Sequence, residues 1–129
     1  MNTPSVKFID NSGLKGRETQ YICIIVDTGT VLKSWKKSLF SFEWLTPDGT
    51  IRRADELAET ERQKFDSVTT AYNNQEALER PILGIGMLDN IEIGSRRDVF
   101  LTLAAHGITA IPVHILKQDE KEFTDYLSK

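Results

Sequence analysis

The stretch Asn90-Ile91-Glu92-Ile93-Gly94-Ser95-Arg96-Arg97-Asp98-Val99-Phe100, followed by Ala104-Ala105-His106-Gly107-Ile108 and Ile111-Pro112-Val113, decides how this chain is read. Its pattern predicts a strand, a glycine turn, a helix with two arginines in its first turn, and a second strand. The arginines run against the electrostatics of a helix start. That end already carries partial positive charge and unpaired amides, so cations there cost about 0.3–1 kcal/mol. A bound anion reverses the sign. Gly94 admits close approach of a ligand to the backbone, Ser95 caps the helix or bonds an oxygen, and Arg96 and Arg97 fork onto phosphate. The expectation is a phosphate site at Gly94, Ser95, Arg96 and Arg97, with the amides of Ser95 and Arg96 on the oxygens. The competing expectation is a plain helix start whose arginines pair with Glu92, Asp98 or Asp89.

Outward from this stretch, the helix is expected over about 95–106, closed by Gly107 in a left-handed C-cap, with a strand over 109–116. Upstream, Pro81 opens a strand over 82–86, and residues 87–90 turn it into the strand 91–93. Leu57, Ala58, Phe65, Val68 and Tyr72 fall at helical spacing and predict an amphipathic helix from 54 to about 72. Asn73-Asn74 breaks it, and 75–79 adds a helical turn. In the first half, residues 6–10 read as an edge strand, 11–16 as a loop, and the apolar run 21–26 as a buried strand. Residues 27–30 turn the chain and Val31-Leu32 begins a partner strand. The aromatic segment 39–45 reads as another strand, and Pro47-Asp48-Gly49 as a tight turn into 51–53. A charged helix over 118–127 ends the chain, with Phe123, Tyr126 and Leu127 packing. Strands cluster first and mix with helices later, so the expected class is α+β: one domain over 1–129, a mixed β-sheet and three to four helices.

The order Pro81-Ile82, Ile91-Glu92-Ile93-Gly94-Ser95-Arg96-Arg97, a helix ending Ala-Ala-His-Gly-Ile, and Ile111-Pro112-Val113 resembles the ParB/sulfiredoxin nucleotide-binding fold. The resemblance covers about 77–116, within a family-like core of about 54–116, and residues 1–53 have no counterpart in it. It implies that a Gly-x-x-Arg signature holds the phosphates of a nucleoside triphosphate, ATP or CTP, with or without Mg2+. Departures from the family narrow what it implies. Ser95 stands where partitioning ParB proteins usually carry the Glu tied to CTP hydrolysis, so weak or no hydrolysis is expected. Sulfiredoxins place a reactive cysteine in this turn, whereas Cys23 lies in the apolar run 21–26. Free serine kinases of the fold carry Asp-Gly-His-His-Arg where this chain has Ile93-Gly94-Ser95-Arg96-Arg97, so kinase activity is not expected. No helix-turn-helix domain follows the core, so operator binding of the partitioning type is not expected either.

The resemblance thus implies a small nucleotide-binding domain acting as a switch or accessory factor in DNA metabolism, of plasmid or phage type. Any enzymatic activity would be that of a weak NTPase or a ParB-like nuclease. The alternative keeps the fold without the chemistry: a protein-interaction or inhibitor module, like fertility-inhibition factors, docking a partner through residues 35–45.

Composition is compatible with either reading. At 129 residues, 40% hydrophobic and 27% charged, the chain has the make-up of an ordinary soluble domain. No apolar run approaches the roughly 20 residues of a membrane span, and residues 1–5 lack signal-peptide features, so a cytoplasmic location with no membrane partner is expected. The single cysteine forms no intrachain disulfide, in keeping with a reducing compartment. The net charge of −3 supplies no global attraction to nucleic acid. Locally, Lys33, Trp35, Lys36 and Lys37 are the candidate contact to a DNA backbone or a protein partner, with Trp35 stacking on a base. The competing expectation for that run is a solvated loop with a packed tryptophan. Asp27, Glu43, Asp48 and Asp89 show no nuclease spacing, and His106 and His114 lack a second ligand at zinc spacing, so no metal site is expected. Cys23 reads as a small core residue, and Phe42 and Trp44 as core or, exposed together, as a patch.

Overall fold

A computed structural model describes residues 6–129 and shows an α+β domain, as the order of elements predicts. The reading of residues 1–5 as leaderless concerns residues outside the described ones. A four-stranded sheet is ordered β2 (Tyr21–Asp27), β6 (Ala110–Leu116), β4 (Ile82–Ile85), β5 (Ile91–Ser95). β1 (Lys7–Ile9) and β3 (Ala77–Glu79) form a separate parallel pair. Three α-helices are described: α1 (Thr28–Trp35), α2 (Glu59–Asn73) and α3 (Arg97–Ala105).

The β4–β5 hairpin, α3 and β6 form the centre, as the sequence predicts. β4 and β5 run antiparallel with an irregularity between Ile82 and Leu83, and β4 meets β6 in parallel at Ile82 and His114. α3 is apolar almost all round: Val99, Phe100, Leu101 and Leu103 are fully buried, as a helix lodged inside a core requires. It packs against α2 and shares one core with Ile91 and Ile93 of β5 and with the buried Ile111, Val113 and Ile115 of β6. Each such side chain contributes about 1.5–3 kcal/mol by leaving water. Pro112 sits in a central strand without harm. The amide of His114 donates to the Pro81 carbonyl at 2.9 Å, so Pro112, two residues earlier, faces the same side before β4 begins, where no donor is needed.

Several expectations are corrected. The run 21–26 is a strand but an edge one, pairing with β6 along one side and meeting only the isolated Val26–Leu127 bridge on the other, and only Val26 is buried. Cys23 is therefore exposed, not core. Val31-Leu32 starts no strand. Asp27 caps α1 by accepting from the Thr30 amide at 2.8 Å and the Thr30 hydroxyl at 2.7 Å, and this cap overrides β-branching. Val31 and Trp35, four apart, then bury one face. Segment 39–45 is also no strand. The Ser41 hydroxyl donates to the carbonyls of Ser38 and Lys36, and the Ser38 hydroxyl accepts from the Phe40 amide, so serine side chains take bonds a ladder would need. A 3-10 turn over Ser41–Glu43 results, with Trp44 and Leu45 buried and Phe42 exposed. The expected turn that follows is present, with Thr46 bonded to the Thr50 carbonyl and Leu45 bridged to Ile51.

The helix expected from 54 splits into a 3-10 turn over Ala54–Glu56, closed by the Glu56 carboxylate on the Arg53 amide, and α2 proper. Gln75 takes a left-handed φ of 58°, which stops α2, and 77–79 pairs with β1 in place of the expected helical turn. The terminal segment is a 3-10 helix over Lys117–Tyr126 with Phe123 buried, whereas Leu127 is exposed. Gly107 follows α3 with a φ of 86°, as the C-cap reading predicts. No helix among the described residues is long and apolar enough to cross a membrane.

Candidate functional site

The end of β5 and the start of α3 open onto a cleft of about 460 Å³ lined by Ile93, Gly94, Ser95, Arg96, Arg97 and Asp98, with Glu61 and Lys64 of α2 opposite. The four residues singled out in the sequence thus line one concavity. Their backbone roles differ from expectation in one respect. Ser95 is the last residue of β5, and Arg96 is the N-cap, held at φ 53°, ψ 44° in the left-handed region. The Arg96 carbonyl takes the first helical bonds, from Val99 at 3.1 Å and Phe100 at 3.2 Å. The first-turn amides facing outward are therefore those of Arg97 and Asp98, not those of Ser95 and Arg96.

The two arginines divide between the alternatives. Arg96 is paired: its Nε and Nη2 each lie 3.2 Å from an Asp98 oxygen, and its Nη1 lies 3.6 Å from Glu79. Glu92, expected as a partner, is taken up elsewhere, accepting from the Ser38 hydroxyl at 2.7 Å and from the Asn90 side chain at 3.1 Å. Lys64 pairs with Glu61 at 3.7 Å. Among the described residues, Arg97 alone of the cleft's cations has no carboxylate partner. Its guanidinium lies 5.5 Å from the Trp35 ring centre and 5.3 Å from that of Phe40, and one Nη donates to the Ile93 carbonyl over a long 3.4 Å. Its Nε is buried without a hydrogen-bond partner. Two aromatic contacts, each worth about 0.5–1 kcal/mol at a half-exposed site, fix this cation in place without neutralising it.

Trp35 is fully buried, which corrects the expectation that it stacks on a base. Its ring serves the core and Arg97. Lys33, Lys36 and Lys37 are exposed beside it, Lys33 and Trp35 within α1 and Lys36 and Lys37 just after it.

The sequence reading missed a polar network behind the cleft. Asn11, buried after β1, donates from its side-chain amide to the Arg80 carbonyl at 2.9 Å and the Ser95 hydroxyl at 3.0 Å, and its Oδ1 accepts from the Gly13 amide at 2.8 Å. Its own amide donates to Nε2 of His114 at 3.3 Å. An accepting Nε2 is an unprotonated one, so the ring is held neutral, and burial pushes the His114 pKa down against the pull of nearby Asp10. Asp10 also receives Arg80 at 2.6 Å, and Glu79 receives the Ser12 amide at 2.8 Å. The only advance signal was the polar Asp10-Asn11-Ser12 at a strand end, whose partners lie some 70 to 100 positions away.

Among the described residues no three of His, Cys, Asp and Glu gather as a metal cage. Asp98 and Glu61, the carboxylates of the cleft, are already paired with cations, so a magnesium ion there would draw most of its ligands from phosphate oxygens and water. Comparison of the chain with family models, with curated proteins and with solved structures finds no match in any of the three.

Proposed function

We propose that the β5–α3 cleft binds the phosphates of a nucleotide, and that the domain works as a small cytoplasmic ParB-like switch or accessory factor in DNA metabolism. The observation that carries this reading is Arg97, a cation fixed between Trp35 and Phe40, without a carboxylate, at the mouth of a helix N-terminus. An unneutralised guanidinium beside free first-turn amides is stabilised by an anion, and a fork of nitrogens suits phosphate. Gly94 leaves the cleft floor open, and the cleft's volume lies within the range of small-molecule sites. Arg96 supplies a second cation if its Asp98 pairing is exchanged for phosphate.

Binding is better supported than hydrolysis. The carboxylates near the cleft are all engaged with cations, and Ser95 already accepts a bond from Asn11, so no group stands ready to take a proton from water.

The test is thermal unfolding with ATP, CTP, GTP or inorganic phosphate, each with and without magnesium, for the wild type and Arg97→Ala. A ligand at 100 times its dissociation constant adds about 2.7 kcal/mol of stability. A shift for one nucleotide that Arg97→Ala abolishes is expected. No shift with any of them, or one that survives Arg97→Ala, sinks the reading.

A further inference from the structure

His114 lies within β6, only 5% exposed, and other segments bring polar and charged groups to its ring. From the segment after β1, the Asn11 amide donates to Nε2 at 3.3 Å, and an Asp10 oxygen stands 3.8 Å from the same nitrogen. That Asp10 oxygen also holds Arg80, ahead of β4, at 2.6 Å, so a cation acts on the ring as well. Cys23 of β2 and Ile82 of β4 stand opposite His114 in register.

One nitrogen thus faces two partners that suit opposite protonation states. Neutral Nε2 accepts from the Asn11 amide; protonated Nε2 carries a hydrogen of its own, opposes that N–H, and has an acceptor at hand in Asp10. The two partners are consecutive residues, so exchanging one for the other shifts the backbone of Asp10-Asn11 against the ring. The side chain of Asn11 carries the shift onward. Its Nδ2 donates to the Arg80 carbonyl at 2.9 Å and to the Ser95 hydroxyl at 3.0 Å, and its Oδ1 caps the 3-10 turn over Ser12–Leu14. Ser95 stands in the lip of the β5–α3 cleft beside Gly94 and Arg96.

We propose that His114 is a proton-operated control on this cleft: the neutral ring holds Asn11 against Ser95 and keeps the lip in its binding form, and the protonated ring turns to Asp10 and releases it. Burial and Arg80 favour the neutral ring and Asp10 the charged one, with burial the largest effect, so the change falls in mild acid and the binding form holds at neutral pH. The movement of the lip stands without any ligand. Its effect on phosphate affinity rests on the nucleotide reading above.

The experiment is an NMR titration of the isotope-labelled full chain from about pH 7.5 to 5, following the His114 ring and the amides of Gly94 and Ser95. These amides are expected to move with the midpoint of the ring. Asp10→Asn, whose side chain is 79% exposed so that the fold is retained, should carry both midpoints together to lower pH. Lip amides that stay still while the ring titrates, a ring that stays neutral throughout, or an Asp10→Asn effect on the ring alone overturns the proposal. Affinities for ATP and CTP at the two ends of the range supply the second readout. Acid should weaken binding on the order of fivefold more in the wild type than in His114→Gln, a comparison that cancels titration of the phosphates themselves. Equal weakening in both chains overturns the control of affinity. If neither nucleotide binds at any pH, the nucleotide reading falls while the lip amides still decide whether His114 moves them.

Discussion

The side-chain amide of Asn11 donates to the hydroxyl of Ser95 at 3.0 Å, joining a loop near the start of the chain to the lip of the β5–α3 cleft across 84 positions. Asn11 is buried and uses its remaining groups on the Arg80 carbonyl, the Gly13 amide and His114. Its removal leaves buried partners unsatisfied, at about 1–3 kcal/mol. Asn11→Ala is therefore expected to lower stability in urea by that amount and to weaken nucleotide binding, because Ser95 loses its anchor. Ser95→Ala, which removes one acceptor at a half-buried site, should cost about 1 kcal/mol. Equal losses in the two variants would show that Asn11 acts through Ser95 alone.

Arg96 holds a left-handed conformation that costs a residue with a Cβ about 1–2 kcal/mol. Its ion pairs with Asp98 and Glu79, both partly exposed, return about 0.2–1 kcal/mol. Arg96→Gly discards the pairs and relieves the backbone, whereas Arg96→Ala discards the pairs and keeps the strain. The glycine variant is accordingly expected to be more stable than the alanine one by about 1 kcal/mol in chemical denaturation. Equal stability would mean that the left-handed turn at Arg96 carries no strain.

The second half of the chain was legible because its structure is local. The β4–β5 turn, the α3 stripe from Val99 to Leu103 and the Gly107 cap are each written in a few consecutive residues, and six of the cleft residues lie in the single run from Ile93 to Asp98. The first half was misread where side chains compete with the pattern of apolar residues. Asp27 and Thr30 turn the apolar pair Val31-Leu32 into a helix, and Ser38 and Ser41 turn an aromatic run into a 3-10 turn. Nor can periodicity tell an edge strand from a central one, so Cys23 and Ile25 looked buried while facing solvent. At the site, charge pattern alone could not separate two adjacent arginines. The local Asp98 and the distant Glu79 pair Arg96, whereas the placement of Trp35 and Phe40 holds Arg97 away from carboxylates.

His114 makes stability depend on pH in a definite direction. Burial lowers its folded pKa below the ordinary 6.5, so between the two values the unfolded chain binds more protons than the folded one. Stability then rises with pH through this window. It is complete above about 6.5 and is lost as the pH falls below it, because protonated Nε2 can no longer accept from the Asn11 amide. Denaturation curves of the wild type should show stability falling from pH 7.5 to 5.5. His114→Gln should lose less over the same interval, even if it starts lower. A parallel decline in both would assign the pH dependence to other groups.

Gly94 separates a ligand role from a structural one. It lies within β5 without a left-handed φ, and a methyl group there meets only the Ile82 carbonyl, at an ordinary 3.6 Å. Nothing in the fold demands glycine, and in a strand interior glycine costs about 0.5–1 kcal/mol relative to alanine. Gly94→Ala is therefore expected to leave stability unchanged or raise it by up to that amount. Gly94 lines the cleft, and phosphate oxygens bound there would approach its backbone, so the same variant should lose nucleotide affinity by on the order of tenfold. Calorimetric titration beside a urea melt reads both quantities on one preparation. A stable variant with unaltered affinity would place the ligand away from Gly94, and a variant destabilised by more than about 1 kcal/mol would make the glycine a requirement of the strand.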